Sequence, residues 1–141
     1  MENFTVATAE SCTGGLIASR MTDLAGASAY VKGGIIAYND DIKKSVLHVA
    51  AETLKNFGAV SEQTALEMAR NVREIFSSTF GLSTTGIAGP TSVEGKPVGL
   101  VYVAMVGADF ETVKEFHFSG SRTEIKFQAA DEAFKLLHSA L

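Results

Sequence analysis

The pattern of apolar and polar positions divides this chain into alternating strands and helices. Runs of alternating apolar and small polar residues, or of nearly continuous apolar ones, predict strands over residues 4–9, 29–38, 82–85, 98–106 and 111–118. Apolar residues that recur at i, i+3 and i+4 predict helices over residues 16–24, 42–47, 52–56, 62–76 and 121–137. Strands that alternate with helices, plus one hairpin, indicate one α/β domain over residues 1–141, with helices on both faces of a mixed sheet.

Local signals mark the ends of several elements. Asn39 and Ser61 are suited to cap helices, and Ser121 with Glu124 three residues later has the form of a capping box. The glycine pair Gly33-Gly34 lies inside the second strand and predicts a bulge or a close backbone approach there.

Two adjacent strands differ in their polarity. The strand over 98–106 is nearly all apolar, which is typical of a central strand covered on both faces. The strand over 111–118 carries several charged residues and is predicted to pair antiparallel with it, at an edge of the sheet.

Composition narrows the class of protein. The net charge of −4, with scattered basic residues, argues against a general nucleic-acid or membrane-surface binder. No apolar run approaches the roughly 20 residues that span a bilayer, and the first residues lack an export signal, so we expect a cytoplasmic protein. The single cysteine, Cys12, excludes an internal disulfide, and the three separated histidines lack ligand spacing, so neither a metal nor another cofactor is expected.

The junction from the first strand to the first helix, Ala7 to Gly15, is the strongest candidate for chemistry. The first N–H groups of a helix have no internal acceptor and the helix dipole is positive there, so an anion is favoured. A hydroxyl or thiol nucleophile from Ser11, Cys12 or Thr13 could attack a carbonyl beside those N–H groups. The structural alternative is that Ser11 or Thr13 merely caps the helix.

Two cations lie at predicted helix starts. Lys43 falls in the first turn after Asn39, where a cation gains nothing from the dipole and has a reason to lose its proton. Arg122 falls at the first position of the last helix, beside free N–H groups, which suits a phosphate or a carboxylate. For both residues the alternative is a solvated surface side chain.

The loop over residues 86–97 follows a predicted strand and contains both prolines of the chain. Loops after strands are where open α/β sheets build binding sites. A plain surface connection is the alternative interpretation.

Six short blocks cover nearly the whole chain: Thr8-Ala9-Glu10-Ser11-Cys12-Thr13-Gly14-Gly15, Tyr38 with Lys43, Gly58-Ala59-Val60-Ser61, Thr85-Gly86-Ile87-Ala88-Gly89-Pro90, Lys96-Pro97-Val98-Gly99, and Phe118-Ser119-Gly120 with Arg122. In this order and combination they resemble the CinA C-terminal domain family. The resemblance implies a three-layer α/β/α sandwich, usually a homodimer, without a required metal. It also implies deamidation of nicotinamide mononucleotide, in which an amidohydrolase releases ammonia from the carboxamide.

The resemblance also implies roles for particular residues. Ser11 would be the nucleophile and Lys43 the base that takes its proton, while Tyr38 would orient Lys43 or the substrate ring. For Lys43 to be neutral near pH 7, its pKa must fall by about three units from roughly 10.4, and burial with Arg122 nearby would lower it. The expected substrate-binding residues are Thr13, Gly14, Gly15, Thr85, Gly86, Gly89 and Arg122, the last of which would hold the phosphate.

Three features depart from the family pattern. The usual helix before the opening strand is absent, so one sheet face is expected to be less covered. The loop over 91–95 is shorter and lacks the usual glycines, and Ser121 replaces a common aspartate. Two alternatives therefore stay open: an inactive member that binds a nucleotide as a regulatory module, and a hydrolase of another small amide that uses Cys12 as its nucleophile.

Overall fold

Five strands of the described residues form one mixed sheet. The computed structural model describes residues 3–141. The strands are β1 (Val6–Glu10), β2 (Val31–Ile36), β3 (Phe80–Gly86), β4 (Leu100–Val106) and β5 (Glu111–His117). β1 pairs in parallel with β2 and with β3, and β3-β4 and β4-β5 are antiparallel pairs.

Five α-helices cover this sheet: α1 (Leu16–Met21), α2 (Asp40–Ser45), α3 (Ala51–Phe57), α4 (Glu62–Phe76) and α5 (Arg122–Ser139). Alternate residues of β1 face opposite sides, with Val6 in the core beneath α1 and α5 and Ala7 in the core beneath α4. The molecule is therefore a three-layer α/β/α sandwich in a single small domain, as the sequence predicts.

The predicted caps and the edge strand are confirmed. The side chains of Asn39 and Ser61 accept hydrogen bonds from the third residue beyond them, and Ser121 with Glu124 forms a complete capping box. β5 lies at the edge of the sheet, and β4 is almost entirely buried between its two neighbours.

The glycine pair in β2 is a point of close approach to β1. The register shifts by one residue between Val6 and Ala7. A Cβ atom on Gly34 would lie 2.2 Å from the Oγ1 of Thr8, so a side chain cannot be accommodated there.

Two predicted helix assignments are wrong in detail. α1 ends at Met21 rather than near residue 24, and Gly26 then begins a short 3₁₀ helix over Ala27–Ala29 instead of ending α1. α2 has six residues, so Lys43 lies in its last turn rather than its first, and the dipole argument made for this lysine does not hold.

The long loop between β3 and β4 is tied to the segment between α3 and α4. Glu94 accepts the N–H of Ala59 at 2.9 Å and that of Val60 at 3.2 Å. Lys96 donates to the carbonyl oxygens of Phe57 and Val60. These contacts fix the loop over residues 91–97 despite its low glycine content.

An open groove with a mainly apolar lining lies along α1 and the end of α5. Its apolar lining residues are Phe4, Met21, Leu24, Tyr30, Phe134, Leu137 and Leu141. Within residues 3–141 no helix combines the length and the apolar composition that crossing a bilayer requires.

Candidate active site

A pocket of about 240 Å³ lies beyond the carboxyl ends of the parallel strands β1 and β3. This is the edge at which open α/β sheets bind ligands. Its lining residues come from the turn after β1, the start of α2, the segment between α3 and α4, the end of β3 with the loop after it, and the start of α5: Ser11, Cys12, Tyr38, Asp40, Lys43, Ala59, Val60, Thr85, Gly86, Ile87, Ala88, Gly89, Thr91, Val93, Glu94 and Arg122.

Ser11 is the first residue after β1, and each of its polar groups has a partner. Its N–H donates to the carbonyl of Thr84 at 3.0 Å, and its carbonyl accepts the N–H of Gly14 at 3.1 Å. Its hydroxyl lies 3.1 Å from the Nζ of Lys43. The serine backbone is therefore fixed between β3 and the turn into α1, with the hydroxyl facing the lysine.

Lys43 is a buried amine that reaches the pocket from α2. Its side chain is 2% exposed, and Nζ donates to the carbonyl of Ala37 at 2.9 Å and lies 3.5 Å from that of Tyr38. Burial lowers the pKa of Lys43 below its ordinary 10.5, and the nearby Asp40 carboxylate opposes this effect. Burial thus acts on the Lys43 pKa in the direction expected from the sequence, whereas the Arg122 guanidinium is held by Tyr38 and Gly89 and does not lower it.

The partners of Lys43 determine what its neutral form does. The carbonyl oxygens of Ala37 and Tyr38 can only accept, so each holds one N–H. In the neutral amine the remaining lone pair then faces the one partner that can donate a proton, the Ser11 hydroxyl. The geometry is that of a base beside a nucleophile.

The start of α1 is not an empty anion site, contrary to the sequence argument. The Glu10 carboxylate accepts the N–H of Ile17 at 2.9 Å and of Ala18 at 3.0 Å, and the N–H of Leu16 donates to the Thr13 carbonyl. The first-turn donors and the positive end of the dipole are thus already matched by a residue of the chain itself.

Cys12 lines the pocket but is not an activated thiol. Burial raises the pKa of Cys12 to about 12, and the hydrogen bond with Thr84 lowers it by less than burial raises it. The thiolate is the reactive form, so this thiol is inert near neutral pH. The alternative in which Cys12 is a nucleophile loses its physical basis.

Tyr38 follows β2 and Arg122 follows β5, the two edge strands of the sheet, and their side chains meet at the pocket. The Arg122 guanidinium donates to the Tyr38 hydroxyl at 2.6 Å and to the carbonyl oxygen of Gly89. The Tyr38 side chain therefore contacts the arginine, and only its backbone carbonyl contacts Lys43. Among residues 3–141 no carboxylate forms an ion pair with Arg122.

The expected substrate-binding residues divide into two groups. Thr85, Gly86, Gly89 and Arg122 line the pocket. Thr13, Gly14 and Gly15 do not, because the Thr13 hydroxyl is turned inward to Glu10 at 2.7 Å and Thr84 at 2.8 Å. The two glycines adopt φ values of 58° and 102° and make the turn into α1.

Three acidic residues of the site were not identified from the sequence. Asp40 lies 3.9 Å from the Lys43 Nζ, and Glu94 faces the pocket from the loop. Burial raises the pKa of Glu94, but the N–H groups of Ala59 and Val60 together with Lys96 lower it by more. The net pKa lies below the ordinary 4.5, so Glu94 is ionised near neutral pH. Only the acidic pair Asp40-Asp41 beside the cap offered a sequence signal, whereas the inward turn of Glu10 offered none.

Comparisons with known proteins agree on one group of proteins. The family model described as CinA C-terminal domain matches residues 1–141. A relative from Desulforamulus reducens is 50% identical over 132 residues, which are 94% of this chain and 32% of the relative. A CinA-like protein from Syntrophomonas wolfei is 45% identical over 137 residues, 96% of this chain and 33% of the relative. The chain thus spans about a third of the length of these curated relatives.

Solved structures give the same result for the fold. The competence/damage inducible protein CihA from Agrobacterium tumefaciens superposes with a TM-score of 0.94 at 42% identity, covering 97% of this chain and 85% of that chain. A competence-damaged protein (CinA) superfamily protein from Escherichia coli superposes with a TM-score of 0.96 at 30% identity, covering 99% of this chain and 82% of that chain.

Proposed function

This chain belongs to the CinA C-terminal domain family, and from that premise we propose that it hydrolyses the carboxamide of nicotinamide mononucleotide to nicotinate mononucleotide and ammonia. The observation that carries the proposal is the buried Lys43 amine, 3.1 Å from the Ser11 hydroxyl at the pocket. A serine beside a lysine of lowered pKa is a known arrangement for acyl transfer without histidine.

The first half of the reaction forms an ester on Ser11. The Ser11 oxygen attacks the carboxamide carbon while its proton moves to the Lys43 amine. The tetrahedral adduct then collapses, the C–N bond breaks, and Lys43 returns the proton to the departing nitrogen, which leaves as ammonia. Burial of the lysine favours the neutral amine that this step requires.

The second half releases the acid. Water attacks the ester carbon as Lys43 takes one of its protons, the bond between the ester carbon and Oγ breaks, and the proton returns to the Ser11 oxygen. The product is the carboxylic acid of the same nucleotide. No cofactor enters this sequence of steps. Within residues 3–141 no three His, Cys, Asp or Glu side chains lie together so that they could hold a metal ion.

The charges at the pocket suit a ligand that carries both signs. Arg122 offers a guanidinium to the phosphate. Asp40 and Glu94 are the two carboxylates on the lining, and they complement the cationic pyridinium ring.

The direct test is ammonia release from nicotinamide mononucleotide by the purified protein, followed with a coupled glutamate dehydrogenase assay. We expect turnover in wild type, none in Ser11→Ala, and equal loss in Lys43→Ala and Lys43→Arg, because arginine cannot release a proton at neutral pH. Retained activity in Lys43→Arg would contradict the role of Lys43 as a base.

The same protein samples distinguish the proposed enzyme from the alternative, an inactive regulatory module that binds the nucleotide at the same site. A regulatory module would bind the nucleotide, as measured by calorimetry, and release no ammonia at any enzyme concentration. The proposal also includes a cytoplasmic homodimer, and sedimentation equilibrium of the purified chain tests its oligomeric state.

A further inference from the structure

Glu10 is a buried carboxylate next to Ser11 that the proposed reaction does not use. Its side chain is 1% exposed and accepts hydrogen bonds from the Thr13 hydroxyl at 2.7 Å and from the N–H groups of Ile17 and Ala18. In the part of the chain that the structure describes, no lysine or arginine pairs with it. Its charge is therefore matched by the first turn of α1 and the Thr13 hydroxyl rather than by a cationic side chain of the described residues.

The hydrogen bonds of Glu10 reach both sides of Ser11. The Thr13 hydroxyl gives its only proton to the carboxylate, so the 2.8 Å contact between the hydroxyls of Thr13 and Thr84 is donated by Thr84. The carbonyl of the same Thr84 accepts the N–H of Ser11 at 3.0 Å. Ser11 thus lies between two residues, Glu10 and Thr13, that are joined to each other and to β3.

We propose that Glu10 is a positioning residue for Ser11, whose carboxylate fixes the turn between β1 and α1 so that the serine hydroxyl faces Lys43. This inference rests on the proposed role of Ser11 as the nucleophile. The turn continues through Gly14 and Gly15, which both adopt left-handed backbone conformations. Glycine has no Cβ atom, so these two residues impose little steric restraint on the backbone. The Glu10 network supplies the restraint that the glycines lack.

The variant Glu10→Gln tests the proposal with almost no change of shape. An amide has one carbonyl oxygen, and its NH₂ group faces a donor, so at least one of the three donors loses its acceptor and the charge is lost. We expect kcat to fall by about 10²-fold, the loss that accompanies a misplacement of about 1 Å in a reacting group. The KM for the nucleotide should stay within about threefold, because the residues that line the pocket are untouched.

A second readout follows Ser11 without the substrate. The rate at which a sulfonyl fluoride modifies the serine, measured by intact mass with peptide mapping to Ser11, should fall in parallel with kcat. Thr84→Val breaks the same network from β3 and should give the same split between kcat and KM. If Glu10→Gln does not fold, Thr84→Val tests the proposal in its place.

Ser78→Ala is the matched control, since the buried Ser78 hydroxyl donates to the Phe80 carbonyl at 2.9 Å at the opposite end of β3. It should keep the wild-type kcat and labelling rate. If the control loses as much as Glu10→Gln, or if Glu10→Gln matches wild type in both readouts, the positioning role is wrong. If wild type is neither labelled at Ser11 nor active, the proposed function fails and this inference fails with it.

Discussion

Replacing Arg122 with alanine separates recognition of the phosphate from the chemical step. Arg122 begins α5, and its guanidinium donates to Tyr38 and Gly89 at the pocket. A guanidinium has five N–H donors, so three remain for a ligand after these two contacts. A phosphate can therefore bind without displacing the partners that hold the side chain in place.

The expected magnitude follows from one charge-assisted contact. Such a hydrogen bond contributes about 1.5–3 kcal/mol, so Arg122→Ala should weaken binding of the nucleotide by about one to two orders of magnitude. Nicotinamide riboside lacks the phosphate, and its affinity should not change. Tyr38→Phe removes only a neutral acceptor from the guanidinium and should weaken nucleotide binding by about tenfold at most.

Titration calorimetry in a Ser11→Ala background measures these affinities without consuming the ligand. Thermal melting of each variant checks that the contact between α5 and the loop after β3 is not needed for folding. If the riboside loses as much affinity as the nucleotide, Arg122 acts on the reacting end or on the fold, and the phosphate assignment is refuted.

Three further predictions concern the groups around Ser11. Cys12→Ala should keep most of the ammonia release, and iodoacetamide should not label wild type near pH 7, because burial raises the pKa of Cys12 to about 12. Asp40→Asn should move the acidic limb of the kcat/KM profile to lower pH, since removing that carboxylate lowers the pKa of Lys43 further. Because the pKa of Lys43 is lowered in the folded protein, the unfolded chain binds the lysine proton more tightly than the folded protein does. At pH values below the folded pKa, the protonated lysine therefore reduces the free energy of unfolding. The free energy of unfolding of wild type should therefore rise relative to that of Lys43→Met as the pH increases towards 10.5. Urea denaturation at several pH values measures this difference in free energy, and a difference that does not change with pH would contradict the reasoning.

Local signals were sufficient for most of the fold. Helix caps such as Asn39 and Ser61 involve residues that are close in sequence, so they can be predicted without tertiary information. The charged residues of β5 and the apolar residues of β4 likewise indicate which strand lies at the edge of the sheet and which lies inside it. The end of α1 could not be predicted, because no cap or proline follows Met21 and its apolar pattern runs on to Leu24.

The site depended on contacts between distant residues. Lys43 and Ser11 are 32 positions apart, and their meeting was expected only from the family resemblance. The burial of Lys43 and the link from Arg122 to Gly89 arise from packing between separate elements, which no periodicity reports. Glu10 falls in the predicted junction after the first strand, and whether its side chain faces solvent or turns to α1 is decided by the turn that follows.

The base and the rim of the pocket are built by different kinds of structure. Ser11 and Thr85 lie at the carboxyl ends of β1 and β3, two neighbouring strands in the interior of the sheet. Tyr38 and Glu94 lie in connections between elements, where sequence changes are tolerated more readily than in paired strands. Sequence changes in that rim can therefore alter which amide the proposed reaction accepts without disturbing Ser11 or Lys43.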